Sequence, residues 1–183
     1  MKKISNHQKY EYIFRVMLDS GPFRLKGDKL YREISILPSN TLTTLAKVIV
    51  GSFGFYFDHC YGFYDNLNDT FESKEIFELF TDLPDVEHTL GAFGVTYVKI
   101  PKAFNRIGKK MKFLFDYGDG WQFTVELLDI KPAHPNRKNP RIIRKVGISP
   151  EQYHDWDKNI EVEELAKEDL FEEIRKNKKV AIC

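Results

Sequence analysis

The chain has 183 residues, 42% hydrophobic, 30% charged and 14% aromatic, with a formal net charge of +1. These values suit one globular domain spanning 1–183, exclude intrinsic disorder and remove any argument from global charge. No apolar run approaches the ~20 residues of a membrane span.

The start, Met1 to Lys9, is basic but lacks the apolar core of a signal peptide. The two cysteines, Cys60 and Cys183, form no C-x-x-C pair, and His7, His59, His88, His134 and His154 stand singly. The expectation is a cytoplasmic protein with no cofactor, no resident metal and no membrane partner.

In chain order, Tyr10, Tyr12, Phe14, Val16 and Leu18 alternate with Glu11 and Arg15, the period of a half-buried strand. Leu30 to Leu37 predicts a second strand, with Ile34 and Ile36 on one face and Glu33 and Ser35 on the other. Leu42, Leu45, Ala46, Ile49, Val50 and Phe53 form a helical stripe, so a helix is expected at about 40–53. Ser39 or Asn40 would cap its start and Gly54 its end. Asp58 to Tyr64 reads as a strand with His59, Tyr61 and Phe63 on one face. Residues 73–80 suggest a short helix capped by Ser73, Val95 to Ile100 a strand, and Lys102 to Ile107 one helical turn ended by Gly108. Pro132 to Pro140 is a loop, and 160–177 predicts a C-terminal helix with acids early and lysines late, matching the helix dipole.

Lys110 to Ile130 predicts a β-hairpin. A three-residue loop at 118–120 sets Tyr117 opposite Trp121, Phe115 opposite Phe123 and Lys112 opposite Glu126, keeping one face apolar. Gly120 takes the left-handed position such a loop needs. The fold class is therefore α+β: a mainly antiparallel twisted sheet with this hairpin, packed by the helix at 40–53 and the C-terminal helix.

The small net charge conceals blocks. Residues 1–47 sum to +5, 57–87 to −8, 88–150 to +8 and 151–173 to −8. A basic block can be a phosphate-binding face, with Arg137, Lys138, Arg141, Arg144 and Lys145 as candidate contacts. Equally, the blocks can neutralise one another across the fold.

The run Phe115-Asp116-Tyr117-Gly118-Asp119-x-Trp121 resembles the Y-D-F-G-D-x-W-x-H signature of the plasmid pRiA open-reading-frame-three-like family. Tyr12 to Val16, Thr41-Leu42 with Phe53-Gly54-Phe55, Asp58 to Phe63, and the closing Pro140 to Ile143 and Gly147 to Tyr153 agree in order and spacing. The resemblance covers about 10–153, leaving 154–183 as a C-terminal extension. It implies an α+β domain with no established activity. Members are often labelled resolvase-like, but a serine recombinase needs a nucleophilic serine on its first strand. Here that strand leads to Met17, whose thioether cannot form a phosphoester. The signature's final histidine is Phe123, and the helix histidine falls at Ala46, so imidazole chemistry is absent at both places.

Asp116, Asp119, Trp121 and His59 form the candidate functional cluster. The two acids can hold a divalent cation or act as general acid and base; alternatively Asp119 is a turn residue bonded to nearby backbone and Asp116 pairs with a neighbour. No nucleophile–base pair and no metal-spaced set is visible. The leading expectation is a non-enzymatic binding or interaction module for a protein, or for nucleic acid through the 88–150 block. The alternative is a divalent-metal-dependent hydrolase or nuclease-like enzyme using Asp116, Asp119 and His59.

Overall fold

A computed structural model describes residues 9–22, 29–87, 89–134, 136 and 139–153. The chain divides at Pro150 into two units, 1–150 and 151–183. The first holds all the secondary structure described here. Of the second, only Glu151 to Tyr153 are described, with the Gln152 amide donating to the Tyr153 hydroxyl at 3.1 Å. The expected helix at 160–177 and the extension 154–183 lie outside the described residues.

Seven strands are assigned in chain order: β1 Tyr10–Ser20, β2 Tyr31–Ile36, β3 Tyr61–Tyr64, β4 Ile76–Glu78, β5 Lys110–Phe115, β6 Trp121–Pro132 and β7 Arg141–Val146. They form one sheet in the order β4-β3-β5-β6-β1-β2-β7, each neighbouring pair antiparallel. Helices α1 Leu42–Ser52 and α2 Ile100–Ala103 complete the architecture. A sheet-dominated, mostly antiparallel α+β fold results, as the alternation of β1, β2, β5 and β6 dictates.

One sheet face carries Phe14, Val16, Ile34, Ile36, Phe63, Phe77, Phe113, Trp121, Phe123 and Val125, all 0–1% exposed, and these join the helices in one core. From α1, the core takes Leu42, Leu45, Ala46, Ile49 and Val50. Burying each of the larger ones is worth roughly 1.5–3 kcal/mol. The helix is capped by Thr41, whose Oγ1 accepts the Thr44 N–H at 3.3 Å, rather than by Ser39 or Asn40. Its last residue is Ser52 and Gly54 follows the cap at φ +84°. No basic residue occupies the last helical turn, and Arg32 from β2 substitutes: its Nε donates to Ser52 O at 3.0 Å and its guanidinium lies over the Phe53 ring.

Several expectations fail for tertiary reasons. Residues 73–80 are not a helix: Ile76–Glu78 is β4, flanked by 3₁₀ turns at Thr70–Glu72 and Leu79–Asp82. Pairing with β3 on one side and with Phe93 on the other outweighs the local pattern. Val95 to Ile100 is no strand; its backbone serves the start of α1 through Leu42 N–Val98 O and Thr43 N–Val95 O bonds. The helical turn falls at Ile100–Ala103, two residues before the expected start. β3 begins at Tyr61, leaving His59 on the preceding loop. Finally, 141–146 adds an edge strand, β7, that the periodicity did not announce.

Candidate functional site

The β5–β6 hairpin keeps its expected faces but not its register. Phe115 pairs with Trp121, Phe113 with Phe123 and Lys110 with Glu126, closing a five-residue loop at 116–120. A shift of two residues leaves every side chain on its own face, so the apolar pattern alone cannot separate the two registers. Asp116 decides. It adopts φ +56°, and its Oδ1 accepts the N–H groups of Gly118 at 3.0 Å and Asp119 at 3.2 Å. Its backbone carbonyl accepts from Gly120, which has the expected left-handed φ of +68°. The turn-forming carboxylate is therefore Asp116, not Asp119.

Asp116 is 6% exposed, and its other oxygen lies 3.6 Å from His59 Nδ1. The same nitrogen is 2.9 Å from Asp58 Oδ1, and the ring stands edge-on to Phe115. The hydrogen bond to Asp58 raises the His59 pKa, burial opposes this, and the fields of Asp116, Asp58 and Asp119 add to the rise. Asp116, Asp119 and His59 thus gather at one tip, with Asp58 as an unanticipated member. Trp121 does not join them: it is 0% exposed, 4.6 Å from the Phe55 ring and packed on Gly21, where a Cβ would come within 2.4 Å of the indole. Among the described residues, no three His, Cys, Asp or Glu side chains are placed to hold a metal ion.

Five of the ten described cations of the 88–150 block, Arg141 included, pair with the chain's own acids. Lys109 pairs with Glu75, Lys112 with Asp19 at 3.2 Å, Lys110 with Glu126 at 3.7 Å and Lys131 with Asp129 at 3.4 Å. Of the candidate phosphate contacts, Arg137 and Lys138 lie outside the described residues. Arg141 closes on Glu11 with two bonds of 2.8 and 2.9 Å, which raises its pKa further. Arg144 lies over the Tyr31 ring, and Lys145 is exposed on β7.

A concave feature lies elsewhere among the described residues, on the sheet face opposite the core at the β4–β3–β5 end. A cavity of about 610 Å³ is bounded there by Tyr64, Ile76, Glu78, Phe80, Leu114 and Tyr117, among others, within the range of small-ligand sites. The Tyr64 and Tyr117 hydroxyls are 2.7 Å apart, and Tyr64 donates to Glu78 Oε2 at 3.2 Å. The Thr89 N–H donates to Glu78 Oε1 at 3.2 Å. Burial is the main cause that lifts both tyrosine pKa values, so the phenols stay neutral at physiological pH. Gly62 makes the approach feasible: a Cβ there would lie 2.8 Å from both hydroxyl oxygens. A glycine between two aromatic strand positions was the available signal. The signal was hidden because the helical reading of 73–80 and the tighter hairpin loop misplaced Glu78 and Tyr117.

No helix among the described residues is long and apolar enough to cross a membrane. No curated protein matches the chain. Among solved structures, a protein of unknown function, MM3350 from Methanosarcina mazei Go1, superimposes with a TM-score of 0.60 at 14% identity. The match covers 79% of this chain and 74% of that one, a likeness of fold alone. The profile of one family spans residues 12–154, from β1 through the hairpin to the end of the sheet, and the chain belongs to that family, the plasmid pRiA4b ORF-3-like proteins.

Proposed function

We propose that the protein is a non-enzymatic binding module and that the cavity beside β3, β4 and β5 receives its ligand. One observation carries this reading: a volume of about 610 Å³ backed by a hydrogen-bonded Tyr117–Tyr64–Glu78 chain and walled by Ile76, Phe80 and Leu114. Apolar walls with a few convergent polar groups are what small-ligand and side-chain pockets share. The nucleic-acid version of the binding role draws less support, since five described cations of the 88–150 block face acids of the same chain.

Protein-observed NMR with a chemically mixed fragment library tests the reading. Hits are expected to shift the amides of Tyr64, Phe80, Thr89 and Leu114 together. Shifts confined to Asp58, His59 and Asp119 would overturn it, as would divalent-metal-dependent cleavage of a phosphodiester or ester. The latter outcome would favour the alternative of a hydrolase or nuclease-like enzyme, for which the 3.6 Å approach of Asp116 to His59 speaks. Binding of labelled DNA or RNA that weakens steeply with salt would favour a phosphate partner instead.

A further inference from the structure

Glu78 is 3% exposed, and a carboxylate taken out of water needs compensation by hydrogen bonds or by a cation. Its donors, the Tyr64 hydroxyl and the Thr89 amide, are both neutral. Among the described residues, no Lys, Arg or His nitrogen lies within 4 Å of it. The cations that could have served are committed elsewhere: Lys112, opposite Tyr64, goes to Asp19, and Lys109 goes to Glu75.

Proton bookkeeping adds direction. A carboxylate accepts only, so Tyr64 spends its single proton on Glu78. Tyr117 must then be the donor in the 2.7 Å contact with Tyr64. The lone pairs of the Tyr117 oxygen and the remaining lone pairs of Glu78 are acceptors without a further donor in this chain of bonds. Among the described residues no lysine or arginine lines the cavity, and Glu87 adds a second acid. Aromatic walls supply the remaining attraction: the Phe80 and Tyr117 rings lie 5.0 Å apart, and Phe71 is a further lining ring. Aromatic faces attract cations through their quadrupole. Most of the lining residues, Glu78 and Glu87 among them, belong to the 57–87 block, whose formal sum of −8 attracts positive species.

Resting on the reading that this cavity is a binding site, we infer that its ligand is an organic cation, an ammonium or guanidinium group on an apolar stem. The ionic head sits against Glu78 and the Tyr117 oxygen, and the stem against Ile76, Phe80 and Leu114. Such a head is carried equally by a free diamine and by a lysine or arginine side chain of a protein segment.

Calorimetry and NMR on the full chain at moderate salt test this with four probes: 1,5-diaminopentane, pentylammonium, 1-pentanol and pentanoate. The two cations are expected to bind at the cavity amides at least tenfold more tightly than the alcohol and the acid. Glu78→Gln is expected to remove at least tenfold of cation affinity and to narrow the preference for the cations over the alcohol, and Tyr117→Phe to remove a few-fold. A blocked tripeptide with central lysine separates the sources: tighter binding than pentylammonium assigns the head to a protein segment, and weaker binding to a free amine. The inference is overturned if cations bind no better than their neutral and anionic isosteres, or if a folded Glu78→Gln chain binds them equally well. The isostere series on the natural chain decides the matter even if that variant does not fold. Should alcohol or acid alone bind at the cavity, the ligand class falls and the binding site stands. If no probe of any class shifts the cavity amides, both fall.

Discussion

Glu11 and Glu78 are 6% and 3% exposed, and they stand at opposite ends of the same sheet face. At the β1–β2–β7 end, Glu11 accepts from Nη1 and Nη2 of Arg141 and from the Ser35 hydroxyl at 2.8 Å, with Asn139 bonded in turn to Ser35. At the β4–β3–β5 end, Glu78 meets a phenol and an amide and looks onto a cavity. The chain supplies a cation to one buried acid, and among the described residues it supplies none to the other. On the proposed reading, the same cost met in two ways separates a structural cluster from a binding site.

The comparison breaks most sharply by mutation of each end. Arg141→Ala removes a two-bond cationic partner from the buried Glu11 and is expected to cost about 3 kcal/mol in urea unfolding, the low end for breaking a buried pair because the Arg141 side chain is 24% exposed. Glu78→Gln removes a carboxylate that has no cationic partner among the described residues, and its expected cost is under about 1 kcal/mol. Comparable losses at both ends would mean that Glu78 is structural too.

Gly62→Ala sharpens the contrast at the cavity. The new Cβ meets the Tyr117 oxygen at 2.8 Å, and Tyr117, 37% exposed, can swing away; it also meets the Tyr64 oxygen at 2.8 Å and its ring at 2.9 Å, and Tyr64 is buried. The expected cost is about 1–3 kcal/mol, the range of overpacking, with loss of the Tyr64–Tyr117 bond visible in tyrosine ring NMR shifts. Gly120→Ala at the hairpin tip has nothing within 4 Å to clash with, so it reports backbone strain alone, again about 1 kcal/mol.

The smallest effect belongs to the exposed tip. The His59 pKa stands above its ordinary 6.5, so its bond to Asp58 stabilises the fold most below pH 6.5. That contribution disappears as pH rises through the folded value. Asp58→Asn is expected to lower the His59 pKa in an NMR titration and to flatten stability across this window. An unchanged pKa would transfer the effect to Asp116 and Asp119.

Much of this architecture is legible without coordinates. The alternation of Tyr12, Phe14, Val16 and Leu18, the stripe of Leu42 to Val50, and the two apolar rows of the hairpin each follow from periodicity, because a side chain's face depends only on its neighbours along the chain. The left-handed Gly120 is legible for the same local reason. The hairpin loop length is not, since registers two residues apart present identical faces, and the Asp116 carboxylate chose between them through two backbone amides. Nor is β4 legible, for its acidic and apolar mixture became a strand only by pairing with β3 and Phe93.

The amino-acid sequence by itself determined the core-facing residues, the α+β class and the family. Tertiary structure alone decided which charges meet: Arg141 with Glu11 across 130 residues, Lys109 with Glu75 across 34, and none of the described cations with Glu78. Faces are set by local periodicity, whereas charge pairing depends on distances that exist only once the strands have taken their order in the sheet.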